Sequence, residues 1–413
     1  MTAPGRQAGL RGHFFGSAMT DWKNIRDILP VARRTAAELR EVMLANLVLI
    51  CEIPAPTFAE ADRVRLILQR FTELGLENCS SDDFGNGFGL MRGTEGGRTL
   101  LLEANADTFV ADRKNQAVEI FPDRIVGPFV GDNSLALAAM VTLPTLLERL
   151  GLRLRSDVLF MAASRILNRG NIEGLRQFLD ATPMVFSAGL CVEGVQIGRL
   201  NHRCLGMLRG EILCRLPDDY RWSGLGSGGS IVPMSDVIQR LSAIPIPQRP
   251  QTTVVLGSIH GGLSYQNIAR ETLLKFEVRS ESRDVLAAIR SQIQDVCDDV
   301  AAHKGVEVRL DIFANREPGG LDGSHPMVKA AKAVQSILGI PTVVYSTTSA
   351  LSALADKGIP AVTVGVTAGE RHHELDEIDE FVSIEPMAAG LAQLAGLLMA
   401  MDGEGRDGPA AVA

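Results

Sequence analysis

The chain lacks a basic surplus, and with it the simplest route to a nucleic-acid or anionic-membrane partner. Its 413 residues carry 41 Lys and Arg against 49 Asp and Glu, for a net charge of −8, and the pI is near 5.5. Such a balance repels phosphate backbones and acidic lipid. No apolar run approaches the roughly 18 residues that a membrane-spanning helix needs. The first 18 residues hold a single greasy pair, Phe14-Phe15, and lack the apolar block of a secretory signal. No C-x-x-C spacing links the six cysteines, Cys51, Cys79, Cys191, Cys204, Cys214 and Cys297, which sit mostly inside apolar segments. Buried free thiols of a reducing compartment are therefore expected rather than disulfides or a zinc knot. No internal repeat or low-complexity tract is visible. The expectation is a cytoplasmic protein with neither a nucleic-acid nor a membrane partner.

What is present has the balance of an ordinary globular protein: 46% of residues are hydrophobic and 22% charged. The length suits two domains better than one core. From about Val31 to Leu76 the apolar residues recur at helical spacing, in two runs split by Ile53-Pro54-Ala55-Pro56. Short apolar runs follow at Thr99-Leu100-Leu101-Leu102, Asp157 to Met161 and Met184-Val185-Phe186, separated by amphipathic stretches from Ser134 to Leu150 and Asn171 to Asp180. Near-continuous apolar strands alternating with helices predict an α/β sheet covered on both faces.

After Gly206 the order becomes strand (Arg209 to Leu216), Gly/Ser-rich loop (Ser223 to Ser230), helix (Ser235 to Ser242), two strands (Thr252 to Ile259, Thr272 to Arg279), helix (Arg283 to His303) and strand (Val306 to Phe313). That β-α-β-β-α-β order is the split ferredoxin-like unit. The α/β style returns with a helix from Pro326 to Leu338, buried strands at Thr342 to Tyr345 and Ala361 to Val366, and a closing helix from Glu385 to Met401. The expected organisation is a loose extension over 1–18, with Met19 as natural start, a discontinuous α/β domain over 19–205 and 315–405, an inserted α+β domain over 206–314, and a tail over 406–413.

Four short motifs fall in a recognisable order. Asn105-Ala106-Asp107-Thr108 follows a strand, and Gly127-Pro128-Phe129-Val130-Gly131-Asp132-Asn133-Ser134 opens a helix. Glu193-Gly194 follows another strand, and His373-Glu374-Leu375-Asp376-Glu377 lies near the C-terminus. With Glu52-Ile53-Pro54-Ala55-Pro56-Thr57, Gly85-Asn86, Gly261-Gly262 before Asn267, and Gly358-Ile359-Pro360-Ala361, the set resembles the dinuclear-zinc amidohydrolase and metallopeptidase family. That family includes aminoacylases, acetylornithine deacetylase, succinyl-diaminopimelate desuccinylase, glutamate carboxypeptidases and peptidase T. Each motif alone is weak, but the ordered set, running from about Leu39 to Met401, is specific. The resemblance implies a large mixed-sheet zinc-peptidase domain covered by helices. It also implies that the inserted ferredoxin-like unit serves as dimerisation domain and lid, hence a homodimer.

In that family two zinc ions share a bridging carboxylate and activate a water. The resemblance assigns the bridge to Asp132, one terminal ligand to Glu193 and another to His373. The His expected at the His-x-Asp motif is replaced by Asn105, whose amide offers one neutral oxygen, while the supporting acid Asp107 is kept. The register of Phe160 to Arg176 places Ile166 at the general base and Leu167 at a metal ligand, and neither takes a proton or binds a cation. No Glu-Glu or Asp-Glu pair lies between Ser134 and Glu193, so no small shift restores the acids. Tyr220 stands where the lid histidine is expected, and its phenol can still donate to an oxyanion. Asn267 and Arg279 match the positions that grip a substrate carboxylate, for which a planar guanidinium is well shaped.

Taken singly, these residues have ordinary explanations. Asp132 suits a helix N-cap, His373 beside His372 suits a solvated loop, Arg279 suits a surface ion pair and Asn267 suits a turn. His202, His260 and His325 read as structural, and Glu103 as a strand residue without a role. Three readings stay open. The chain is a binding or regulatory protein for a small amino-acid- or peptide-like carboxylate, or a repurposed enzyme for amide formation, transfer or other non-hydrolytic chemistry, or a conventional peptidase or deacylase with substituted ligands. Asp132, Glu193 and His373, helped by Asn105, either hold one divalent ion such as zinc or hold none.

Overall fold

In the computed structural model, the described residues are 22–109, 116–220, 228–370 and 379–403. Expectations for the two termini and for His373 therefore fall outside them. The first predicted helical run is two helices, Trp22–Glu38 and Arg40–Cys51, and a third follows at Ala61–Glu73. The break falls at Leu39, whose N–H bonds Ala36 O at 3.1 Å. This tighter turn re-aims the chain so that Leu39, Met43 and Leu47 enter the core together.

Six strands then build most of the main sheet: β1 (Glu77–Ser81), β2 (Gly87–Met91), β3 (Thr99–Asn105), β4 (Asp157–Ala163), β5 (Phe186–Val195) and β6 (Arg199–Asn201). The inserted unit supplies β7 (Gly206–Arg215), β8 (Thr252–Gly261), β9 (Glu271–Ser280) and β10 (Glu307–Arg316). The main sheet is completed by β11 (Val343–Val344) and β12 (Ala361–Thr367). Its order is β1-β2-β4-β3-β5-β12-β6-β11. The central strands β4, β3, β5 and β12 run parallel, and β2 joins β4 antiparallel. Every residue of β4 and β12 is buried, as expected of strands covered on both faces. The helix Leu135–Arg149 is apolar nearly all round because it lies inside the molecule, between the sheet and the helices Arg40–Cys51 and Met387–Gly403.

Two expected strands are corrected. Val185 is 84% exposed, and β5 begins only at Phe186. The stretch from Thr342 to Tyr345 is not a buried strand, since β11 covers two residues at the open edge of the sheet and leaves Val343 56% exposed. Apolar character alone does not distinguish an edge position from a central one.

The inserted unit is all antiparallel in the order β8-β9-β7-β10, which is 4-1-3-2 read from the other edge, the ferredoxin-like order. Alternation along β9 buries Leu274, Phe276 and Val278 under the helices Ile231–Ser242 and Arg283–Lys304. The intervening residues, Lys275, Glu277 and Arg279, therefore face away from the helices. Glycine at 305, with φ +62°, ends the long helix in a left-handed turn.

Candidate functional site

The C-terminal ends of parallel strands are where open α/β sheets present their ligand crevices. Here β3 and β5 end side by side. Glu103 pairs with Cys191 across them, and the same parallel register carried two residues on sets Asn105 level with Glu193. The turn 131–133 crosses β5 at this point. Asn133 donates from Nδ2 to Val192 O at 3.1 Å and accepts from Gly194 N at 2.7 Å. A Cβ at Gly194 would stand 2.2 Å from Gly131 O, so glycine is required for the crossing. Asp132 is thereby held next to Glu193, and its N–H and that of Gly131 both donate to Glu380 Oε2 at 2.8 Å. Asp132 does not cap the following helix, since that helix starts after Ser134.

Asp107 has a partner other than a histidine ring. Its Oδ2 accepts from Ile166 N at 3.0 Å, Leu167 N at 2.8 Å and Thr57 Oγ1 at 2.9 Å. Positions 166 and 167 thus lie at the crevice, directly after β4. Ile166 is 5% exposed and belongs to a buried apolar cluster that includes Leu159, Met161 and Leu175, with Leu167 packed against that cluster. The segment around them is backbone-strained, with left-handed φ at Arg165 (53°), Asn168 (47°), Asn171 (50°) and Ile172 (60°). A β-branched residue there is an outlier, and each such residue costs on the order of 1–3 kcal/mol. Glu60 Oε1 offsets this by accepting from Arg165 N at 2.8 Å.

The helix-free face of the inserted sheet clamps the same segment. Arg209 donates from Nη1 to Asn168 O at 2.9 Å, and Arg169 pairs with Glu211 at 2.8 Å. Buried Arg316 donates from Nε to Asn171 Oδ1 at 2.8 Å and from Nη1 to Thr348 O at 2.7 Å. Arg279 forms an ion pair with Glu277, which also pairs with Arg209. A chain of contacts therefore runs from Arg279 through Glu277 and Arg209 to Asn168, beside Leu167. The two arginines hold the Glu277 carboxyl below its ordinary range against the opposing effect of burial. Asn267 lies in the exposed loop after β8, and Tyr220 is half-buried in a turn, its N–H on Pro217 O at 3.1 Å. The structure does not bring these two to the crevice. His202 and His325 are structural: the first has Nδ1 2.8 Å from Leu321 O, and the second accepts from Met327 N at 3.2 Å.

Sequence reading missed the partner of Glu193. Arg199 Nη1 lies 2.9 Å from Glu193 Oε2, with the two side chains 11% and 10% exposed. The guanidinium stacks 5.4 Å from the centre of the Tyr345 ring. Among the described residues the donor set does not fit a two-zinc group. Positions 166 and 167 are apolar, 105 is an amide, and Glu193 is engaged by a permanent cation. Among the described residues no group of three His, Cys, Asp or Glu is placed to hold a metal ion.

Residues 223–305 match the peptidase dimerisation domain of the M20 type. No curated protein sequence matches the chain. Several solved structures share its fold. The dipeptidase Dug1p from Saccharomyces cerevisiae is 12% identical, covering 91% of this chain and 98% of its own, with a TM-score of 0.74. Human carnosine dipeptidase 1 is 11% identical over 91% and 99%, with a TM-score of 0.73. A dinuclear metal-binding peptidase of the M20 family from Bacillus subtilis is 17% identical over 91% and 98%, with a TM-score of 0.59. The fold is that of a metallopeptidase with a dimerisation domain inserted in its peptidase domain. The chain thus shares its fold with M20 metallopeptidases, and residues 223–305 match their dimerisation domain.

Glu103, fully buried on β3, has its carboxyl pushed up to about 8 by desolvation, against a hydrogen bond from Cys191 that lowers it. The ordinary value is 4.5, so the folded state keeps a proton that the unfolded chain has released. The resulting stabilisation is full below about pH 4.5 and is lost as pH rises through about 8. Glu103→Gln is expected to flatten this decline, gaining about 2–4 kcal/mol relative to wild type between about pH 5 and about pH 9. Urea unfolding at the two pH values measures it. Parallel pH profiles for the two proteins would contradict the assignment.

Proposed function

We propose that this protein binds a small amino-acid- or peptide-like carboxylate and no longer runs two-zinc hydrolysis. The observation that carries the reading is the capture of the 166–167 backbone by Asp107, with Ile166 packed in an apolar cluster. The general-base position then holds nothing able to accept a proton from water. The grip on the ligand falls to Arg279, with Asn267 and the neutral donor Tyr220, both away from the crevice of their own chain, reaching it from the second copy of the homodimer proposed below. The contact chain from Arg279 to Asn168 supports this by linking the guanidinium to the crevice segment. Of the metal alternatives, the engagement of Glu193 by Arg199 favours none over one. The unpaired thiols support a cytoplasmic location, and the acidic charge supports the absence of a nucleic-acid or membrane partner.

A second reading is an enzyme forming or transferring an amide bond in the same pocket. It is favoured by Glu103 and Asp107, each of which keeps a buried carboxylate oxygen without a hydrogen-bond partner. Such acids recur where proton transfer is catalysed.

The expected outcome with a panel of dipeptides and N-acyl-amino acids is binding without hydrolysis, whether or not zinc is added. Arg279→Ala is expected to weaken that binding about tenfold or more, as for loss of a charged hydrogen bond. Calorimetry and product analysis read both. Zinc-dependent hydrolysis by the wild type would restore the conventional peptidase reading, and amide formation would favour the second.

We further propose a homodimer built on the free edge of the inserted sheet. The edge strand β8 leaves Val255 and Ile259 exposed, near the exposed Leu263 and Tyr265 of the next loop. An apolar unpaired edge of this kind invites strand pairing. Light scattering on wild type should give twice the chain mass, and Val255→Lys with Ile259→Lys should give the folded monomer. A wild-type monomer would refute this assembly.

A further inference from the structure

We infer that Arg199 is a built-in replacement for a metal ion: its guanidinium fills the cation position at Glu193. The inference deepens the proposed function and rests on its claim that the crevice no longer runs two-zinc hydrolysis.

The backbone between the two residues brings them together. The chain leaves β5 at Val195 and turns over Gln196, Ile197 and Gly198, with Arg199 N donating to Gln196 O at 3.1 Å. Gly198 has φ +91°, and a Cβ on it would stand 2.2 Å from Pro341 O. Gly365, on the neighbouring β12, has no room either, since its Cβ would lie 2.1 Å from Gln196 O. Two glycines thus admit a tight return that no larger residue fits. It delivers Arg199 to the end of the strand carrying Glu193. Gln335 then holds the start of β6, donating from Nε2 to Arg199 O at 3.2 Å and from the same atom to Gln393 Oε1 at 2.9 Å.

The pair itself resembles a filled site more than a surface bridge. Both side chains are about nine-tenths buried, where an exposed pair would be screened and nearly neutral in effect. The Arg199 Nε is buried with no hydrogen-bond partner. The guanidinium is therefore placed for its charge and its stack on Tyr345 rather than for full hydrogen bonding. A divalent ion at Glu193 would have to approach this permanent cation at close range, and like charges in a poorly solvated crevice repel strongly. Asn105, level with Glu193, supplies a neutral amide where the family pattern has an imidazole. Ile166 and Leu167 stand where that pattern has two carboxylates, so the crevice has less anionic charge to neutralise, and a single fixed positive charge meets it.

Elemental analysis and thermal unfolding test this on the full chain purified without chelator. Wild type is expected to carry no stoichiometric zinc or manganese, and neither added ions nor EDTA should move its Tm. Arg199→Met keeps an unbranched side chain over Tyr345 while removing the charge. Its Tm is expected to fall on the order of 5 °C, and added zinc or manganese should recover most of the fall with uptake of one ion per chain. Arg199→Met combined with Glu193→Gln has no buried charge to satisfy and should lie closer to wild type, without ion uptake. The double variant also decides the matter if the single one does not fold. Stoichiometric metal in the wild type that is lost in Glu193→Gln would overturn the inference. An Arg199→Met Tm equal to wild type, or a fall that divalent ions leave untouched, would do the same. Metal at Glu193 without hydrolysis would sink this inference alone. Hydrolysis without metal would sink only the proposed function, and two zincs with hydrolysis would sink both.

Discussion

A buried carboxylate has to be neutralised, protonated or given donors, and the crevice of this protein is governed by that requirement. Acids collect at the ends of β3 and β5 as they do in a metal site, and protein groups meet the charge of several of them. Glu193 pairs with Arg199, Glu380 accepts two backbone N–H groups from the 131–132 turn, and Asp107 accepts two from 166 and 167 with a hydroxyl from Thr57. Glu103 keeps its proton, its carboxyl pushed up to about 8. Each solution is local and specific. Together they account for a crevice whose buried acids are each met by groups of the protein itself.

The second constraint is the strained segment from Arg165 to Ile172. Natural chains hold left-handed residues of this kind only where surrounding contacts over-determine them. Here the contacts come from both parts of the molecule. Glu60 and Asp107 act from the main domain, while Arg209, Glu211 and Arg316 act from the inserted sheet. The inserted unit is thus packed against the segment that holds Ile166 and Leu167, and Arg279 belongs to the same contact chain. The proposed ligand-binding arginine and the 166–167 segment are mechanically one unit.

Much of this was legible in the sequence, for identifiable reasons. The continuous apolar runs of β4 and β12 and the alternation of β9 announce their environments directly. The β-α-β-β-α-β order fixes the inserted unit before any contact is known. Ile166-Leu167 was placed by a gap-free register from Phe160, and Asp107 now touches both residues. Edge and centre were not legible, as Val343 and Val185 show, because apolar character alone does not say what covers a strand. Arg199 was invisible for a different reason. It is one of many arginines in the chain, and its meaning depends on a tight turn at Gly198 that returns it to Glu193. Glu380 and Arg316 likewise act through contacts far apart in sequence, which no local pattern records.

The account stands on Arg199 holding the place of a cation at Glu193. Anomalous diffraction from crystals of the wild type grown with zinc tests it most directly. The predicted result is an intact Arg199–Glu193 pair with no zinc peak within bonding distance of Glu193. A zinc bound to Glu193, with Asp132 bridging to a second and Arg199 swung away, would contradict it.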